Sequence, residues 1–268
     1  AGYKTGVGDE FNRIGPLKLF VDGSLGARTA YMREPYADDP NTRGIATLTQ
    51  EELDTLVQIA TENECSVAIH AIGDAAIESV LDSYDKVCKD GKNPLRLGIV
   101  HVQITDRPLL ERFTKNDILA LVQPIFLHYD TGIVEARVGK KLAATSYAFK
   151  TLVDLGVHTS FGTDSPVEDM APLPNIYCAV TRQNLRGEPA GGFHPEECMD
   201  IYEAIDAYTM ESAYVSFEEK TKGRLLPGYV ADLVVLDQDI FTIDPNDILN
   251  THVDMTMVNG QIVFERNA

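Results

Sequence analysis

The sequence predicts an α/β protein built on a parallel sheet, and three observations carry that reading. Five short apolar runs rich in β-branched residues recur between residues 17 and 162. Segments with apolar residues at helical spacing separate them, so consecutive strands should run parallel rather than fold back as hairpins. Residues able to ligate a metal, Lys18, His70, His101 and Asp164, stand at the ends of four of these runs. In a (β/α) barrel the C-terminal ends of the strands share one face, and that face carries the active site.

The first strand is expected over 17–21, followed by the Gly-rich loop DGSLGARTA and a polar stretch holding Pro35, Asp38, Asp39, Pro40 and Asn41. Thr49 with Glu52 three residues later forms a capping box, and Leu53, Leu56, Val57 and Ala60 follow at helical spacing. Strands are then expected over 66–70, 97–102, 118–126 and 157–162. Helices are expected over 72–88, 106–115, 140–155, 174–184 and 198–213. The tail changes character: ADLVVLD is a strand, and residues 254–258 and 261–265 flank Asn259-Gly260, the strongest short-range hairpin signal. Only five βα units fit before residue 215, where a closed barrel needs eight strands. The expectation is therefore a piece of a longer barrel, with an open five-stranded sheet as the alternative.

Composition narrows the class of function. A hydrophobic content of 44% with 24% charged residues is that of a globular protein. Its 23 basic and 41 acidic residues give a formal net charge of −18, a surface that repels nucleic acid and anionic membranes. No run approaches the ~18 apolar residues that span a bilayer. Cys65, Cys88, Cys178 and Cys198 lack CxxC spacing, and they read as reduced thiols of a cytoplasmic protein.

Imidazole and carboxylate are ligands suited to zinc, iron or manganese. A lysine beside such a metal is costly as a cation, and carboxylation by CO2 would make it an anionic oxygen ligand. Taken singly, a histidine at a strand end is more often packed than ligating, and Asp164 before Ser165-Pro166 could cap a turn. The four together point to a metal centre. The HxH pair that usually opens such a site is absent from the sequence.

The segments KLFVDGSLGARTA, HAIGDAA, VHVQ, VQP, FGTDSPV and GYVADLVVLD, with Ala179, Val180 and Arg182, resemble the YtcJ-like branch of the amidohydrolase superfamily (amidohydrolase family 3), which includes N-substituted formamide deformylases. The resemblance runs from Lys18 to Glu265. It implies a (β/α)8 TIM barrel and a small β-sandwich split between the two ends of the full chain. Residues 1–222 would then hold barrel strands 4–8, and residues 223–268 the C-terminal strands of the sandwich. By the same resemblance Lys18 lies on strand 4, His70 on strand 5, His101 on strand 6, His128 after strand 7 and Asp164 on strand 8.

The implied ligands are Lys18, carboxylated or not, His70, His101 and Asp164, around one or two divalent ions, with zinc the first expectation. Asp164 would take the proton of the attacking water and return it to the leaving amine. Arg28, His128 and Arg182 would bind substrate or polarise its oxyanion. The activity implied is hydrolysis of a non-peptide C–N bond in a small-molecule amide or formamide. Two positions depart from the family pattern: Val100 stands where a Glu is usual, and Thr163 where a Ser is usual. Losing the Glu could remove a group that orients His101, which keeps a catalytically inactive scaffold as the rival reading. His158 is expected to be structural, His194 and His252 solvated, and residues 187–197 either a lid or an ordinary long loop. An exposed sheet edge should drive homo-oligomerisation.

Overall fold

The computed structural model describes residues 2–9 and 11–266. Along the chain run β1 (Leu17–Phe20), α1 (Gln50–Glu62), β2 (Val67–Ala71), α2 (Asp74–Val87), β3 (Gly98–His101), α3 (Arg107–Lys115), β4 (Leu119–Val122), the one-turn α4 (Leu127–Asp130), α5 (Val134–Ala143), α6 (Phe149–Asp154), β5 (Thr159–Phe161), α7 (Pro172–Thr181), α8 (Ile201–Tyr208), α9 (Met210–Val215), β6 (Leu233–Leu236), β7 (Val253–Val258) and β8 (Gln261–Glu265). The contacts divide the chain into two compact units, Ala1–Val122 with Tyr129–Thr159 and Gln123–His128 with Ser160–Ala268.

The first unit carries β1 to β4, parallel as the alternation of strands and helices predicts. β1 pairs with β2, β2 with β3 and β3 with β4, all parallel. Strands covered on both faces read as continuous apolar runs. Val67, Ile69, Ile99 and Ala120 accordingly have no exposed surface. The capping box at Thr49 forms as expected and starts α1, whose Leu53, Val57 and Ala60 are buried. On α2, Tyr84 is fully buried and its hydroxyl donates toward Val67 O (3.1 Å) and Gly98 O (2.9 Å). One phenol thereby ties the starts of β2 and β3 together.

Three expected elements are shorter or broken. The fourth strand ends at Val122 rather than at 126, because Pro124 has no N–H for the ladder and 124–126 turn instead into a 3-10 helix. The helix expected over 140–155 is two pieces: α5 begins earlier, is kinked at Gly139 (φ 76°), and stops before α6. The helix expected over 198–213 is also two, since Asp200 is the N-cap of α8 and the helical run breaks at Thr209 before α9.

In the second unit, Asn175 of α7 organises its neighbours. Its Oδ1 accepts from Ile125 N at 2.5 Å, and its Nδ2 donates to Gly162 O at 3.1 Å and to the Tyr208 hydroxyl at 2.5 Å. The tail is the predicted antiparallel unit, order β6-β7-β8. Asn259 (φ 48°) and Gly260 (φ 75°) supply the two positive φ angles that a tight type I′ turn requires. The expected boundary at 222/223 falls inside this unit, between its helices and this sheet.

Among the described residues β1 is paired on one side only. It leaves Leu17 41% and Phe20 55% exposed. An open edge with apolar side chains is a template for pairing with another chain. Light scattering of the purified chain is expected to give a dimer or larger; a monodisperse monomer would count against this.

Candidate active site

The site grows from the ends of β1, β2 and β3. His70 is the fourth residue of β2, and the register sets Ala71 opposite His101, so both imidazoles stand at the same end of adjacent parallel strands. Their rings meet edge to face with centroids 4.4 Å apart. His101 is 2% exposed and takes a left-handed backbone, φ 81°. A non-glycine residue there costs of order 1 kcal/mol or more, and such positions concentrate at functional sites. Arg28, Asp164 and Arg182 share the feature, with φ of 56°, 59° and 56°.

Phe20 packs on His70 with centroids 5.2 Å apart, and the Nζ of Lys18 lies 4.8 Å from the centre of the Phe20 ring. Lys18, expected at a strand end, is instead the second residue of β1, opposite Ala68 and two positions before the Phe20–His70 pair, and it is exposed on the edge strand. Among the described residues no group of three or more His, Cys, Asp or Glu is gathered to hold a metal. The first unit does bring together two imidazoles, a partial donor set of the type that binds zinc. Asp164, His128 and Arg182 belong to the second unit.

One residue of this neighbourhood was not singled out by the sequence reading. Asp22 follows β1 by two positions, its side chain has no exposed area, and its Oδ1 lies 3.2 Å from His70 Nε2. Its carboxylate accepts the backbone N–H groups of Tyr31 (3.0 Å), Ile72 (3.1 Å) and Gly73 (2.8 Å). The signal available was an Asp-Gly pair directly after a buried strand, which reads by default as a turn.

The HAIGD segment then has a physical account. Gly73 passes so close to the Gly-rich loop that an added Cβ would sit 2.0 Å from Tyr31 O. Asp74, the first residue of α2, accepts from Arg33 N and Ala75 N, both at 2.9 Å. Burial pushes its carboxyl above the usual range, and the hydrogen bond from Arg33 opposes that rise. The Arg33 side chain reaches on to Glu78 (2.9 Å) and Asp106 (2.7 Å). The loop after β1 is thus pinned across the starts of two helices.

The substrate-binding candidates have partners of their own. Arg28 makes a two-pronged bond to Asp38, at 3.0 and 2.9 Å, which Arg137 also contacts. Arg182 has no exposed surface, donates from Nε to Phe193 O at 2.9 Å and stacks over the Phe193 ring. Phe193 N returns a bond to Arg182 O, and Glu188 N donates to the Asn184 side chain. Residues 187–197 are therefore an ordered loop fastened at Arg182 and Asn184. His194, expected to be solvated, is 23% exposed at its side chain, because its ring packs edge-on against Phe193 at 4.4 Å. His252 is 63% exposed, as expected, beside Asp237.

His128 accepts the Leu185 N–H at Nδ1, 3.1 Å, so only the neutral ring can keep that bond. Burial, and then the Arg186 cation, lower its pKa. A lowered folded value contributes stability above the free imidazole pKa of about 6.5, lost as pH falls through the folded value. An NMR titration is expected to place the His128 midpoint below about 6.5, with the Leu185 amide shifting in step; a midpoint above it would contradict the geometry. Separately, Gly73→Ala is expected to cost about 3 kcal/mol in urea unfolding, and an unchanged midpoint would refute the close approach.

The amidohydrolase family model matches residues 1–264. YtcJ of Bacillus subtilis, named as a candidate amidohydrolase, is 39% identical over 254 residues, which is 95% of this chain and 48% of that protein. The N-substituted formamide deformylase of Arthrobacter pascens is 26% identical over 261 residues, 95% of this chain and 46% of that protein. Among solved structures, an uncharacterized metal-dependent hydrolase from Pyrococcus horikoshii OT3 superposes with a TM-score of 0.81 at 34% identity, covering 91% of this chain and 48% of that one. The chain spans about half the length of the relatives it matches. On the match from residue 1 to 264, it belongs to the amidohydrolase family.

Proposed function

We propose that this chain contributes to a cytoplasmic, metal-dependent hydrolase that cleaves a non-peptide C–N bond in a small-molecule amide or formamide. The observation that carries the reading is the His70–His101 pair, edge to face at 4.4 Å at the ends of adjacent parallel strands in an amidohydrolase-family chain. By the family resemblance, His70, His101 and Asp164 are the candidate ligands that would hold a divalent ion, zinc first, and Lys18 is the candidate for carboxylation as a further ligand. A bound divalent ion would lower the pKa of water to about 7 and polarise a carbonyl. Asp164 accepts the proton of the attacking water and delivers it to the departing amine, so the nitrogen leaves neutral. His128, Arg28 and Arg182 are the candidates for binding a polar substrate or polarising its oxyanion, and Arg182 also fastens the loop that follows α7. The formamide preference is supported by the kinship with the Arthrobacter deformylase.

Val100, 8% exposed in β3, favours a second reading. An apolar side chain where the resemblance expects Glu leaves His101 without that orienting carboxylate, as in a barrel kept for assembly rather than catalysis.

Metal analysis by plasma mass spectrometry and an N-acyl and N-formyl amide screen separate the two. Retention of zinc that is lost in His70→Ala/His101→Ala is expected. Asp164→Asn, which removes a proposed ligand charge and the proton carrier together, should weaken zinc retention and, at saturating zinc, lower turnover about 10²- to 10⁴-fold. Protein that neither retains metal nor hydrolyses any amide would move the assignment to the scaffold.

A further inference from the structure

The Nε2 atom of His70 has two near neighbours, Gly23 O at 2.9 Å and Asp22 Oδ1 at 3.2 Å. A peptide carbonyl can only accept, so the nitrogen facing it must carry the proton. The Asp22 carboxylate is already an acceptor three times over, for Tyr31, Ile72 and Gly73 N–H. It too meets Nε2 as an acceptor. The neutral ring that satisfies both neighbours is the Nε2–H tautomer, and its one lone-pair nitrogen is Nδ1.

The carbonyl is held as firmly as the carboxylate. Gly23 N donates to Thr29 O at 3.1 Å, and Ser24 N donates to Thr29 Oγ1 at 2.9 Å, closing the turn. A Cβ on residue 23 would sit 2.1 Å from Thr29 Oγ1, so no larger residue fits while the turn is closed. The strand register adds a third constraint, because Val21 N donates to His70 O at 3.2 Å. The β1 end, the Gly-rich loop and the β2–α2 turn therefore converge on one imidazole edge.

We propose that Asp22 is a positioning residue for His70: with the Gly23 carbonyl it fixes the imidazole as the Nε2–H tautomer and reserves Nδ1 as the ligating atom. The inference rests on the metal-hydrolase reading for what Nδ1 binds, but not for the tautomer. Carboxylate or carbonyl partners on the far nitrogen of a ligating histidine commonly set its tautomer, and their loss lowers metal affinity about 10- to 100-fold. Asp22 would then do for His70 what the absent Glu at position 100 does not do for His101.

Long-range 1H–15N correlation spectra of the metal-free, 15N-labelled chain report the tautomer of each histidine directly. His70 is expected to show a pyrrole-like Nε2 and a pyridine-like Nδ1. Added zinc should move the Nδ1 resonance and leave Nε2 protonated. In Asp22→Asn the pattern should shift toward a tautomer mixture, and zinc affinity should fall about 10- to 100-fold. If that variant does not fold, Thr29→Val, which removes the hydroxyl closing the Gly23 turn, should mix the tautomers to a smaller extent. A wild-type His70 protonated at Nδ1 overturns the inference whether or not the protein binds zinc. An Nε2–H ring that ignores zinc leaves the tautomer in place and overturns the ligand assignment on which its purpose rests.

Discussion

A carboxylate without exposed surface costs several kcal/mol unless donors surround it, and the way Asp22 meets that requirement arranges everything around it. Its donors come from two stretches far apart in sequence, Tyr31 in the Gly-rich loop and Ile72 with Gly73 after β2. To satisfy one side chain, Tyr31 must lie against the β2–α2 turn, which also brings Tyr31 O against Gly73, where a Cβ would not fit. The imidazole of His70 stands at the rim of this knot, with Nε2 3.2 Å from Asp22 Oδ1 and 2.9 Å from Gly23 O.

Around the knot, the sheet supplies rigidity in a graded way. β2 and β3 are buried on both faces and tied at their starts by the Tyr84 hydroxyl, and the two histidines stand at their other ends. β1 is the opposite case, with Lys18 and Phe20 exposed along an edge paired on one side. The hydrogen bonds of Asp22 and the turn through Gly23 compensate there, anchoring the end of the least buried strand to the most buried ones. The Arg33–Asp74–Asp106 cluster performs a similar service one layer out, holding the loop across two helix starts.

The first unit holds the imidazole pair, and the second holds Asp164 on a left-handed backbone. The Arg182–Phe193 interlock fastens the loop that follows α7 in the second unit. The buried cation serves there as a clamp on its own backbone, a use that its residue type does not announce.

Local chemistry, which acts over a few residues, was legible in the sequence. The capping box at Thr49, the Asn-Gly hairpin, the order of strands and helices, and the placing of His70 and His101 at strand ends all follow from patterns of period 2 or 3.6 and from short-range hydrogen bonds. The breaks at Pro124, Gly139 and Thr209 were only partly legible. A helical pattern says which face is apolar, and the kink depends on what that face must pack against. Asp22 was invisible as anything more than a turn residue, because its role consists of bonds to residues 9, 50 and 51 positions away. The sequence by itself determined the class of fold and the imidazoles at the strand ends. Only the tertiary structure decided which nitrogen of His70 faces Asp22 and Gly23, since a tautomer is set by through-space partners and not by neighbours along the chain.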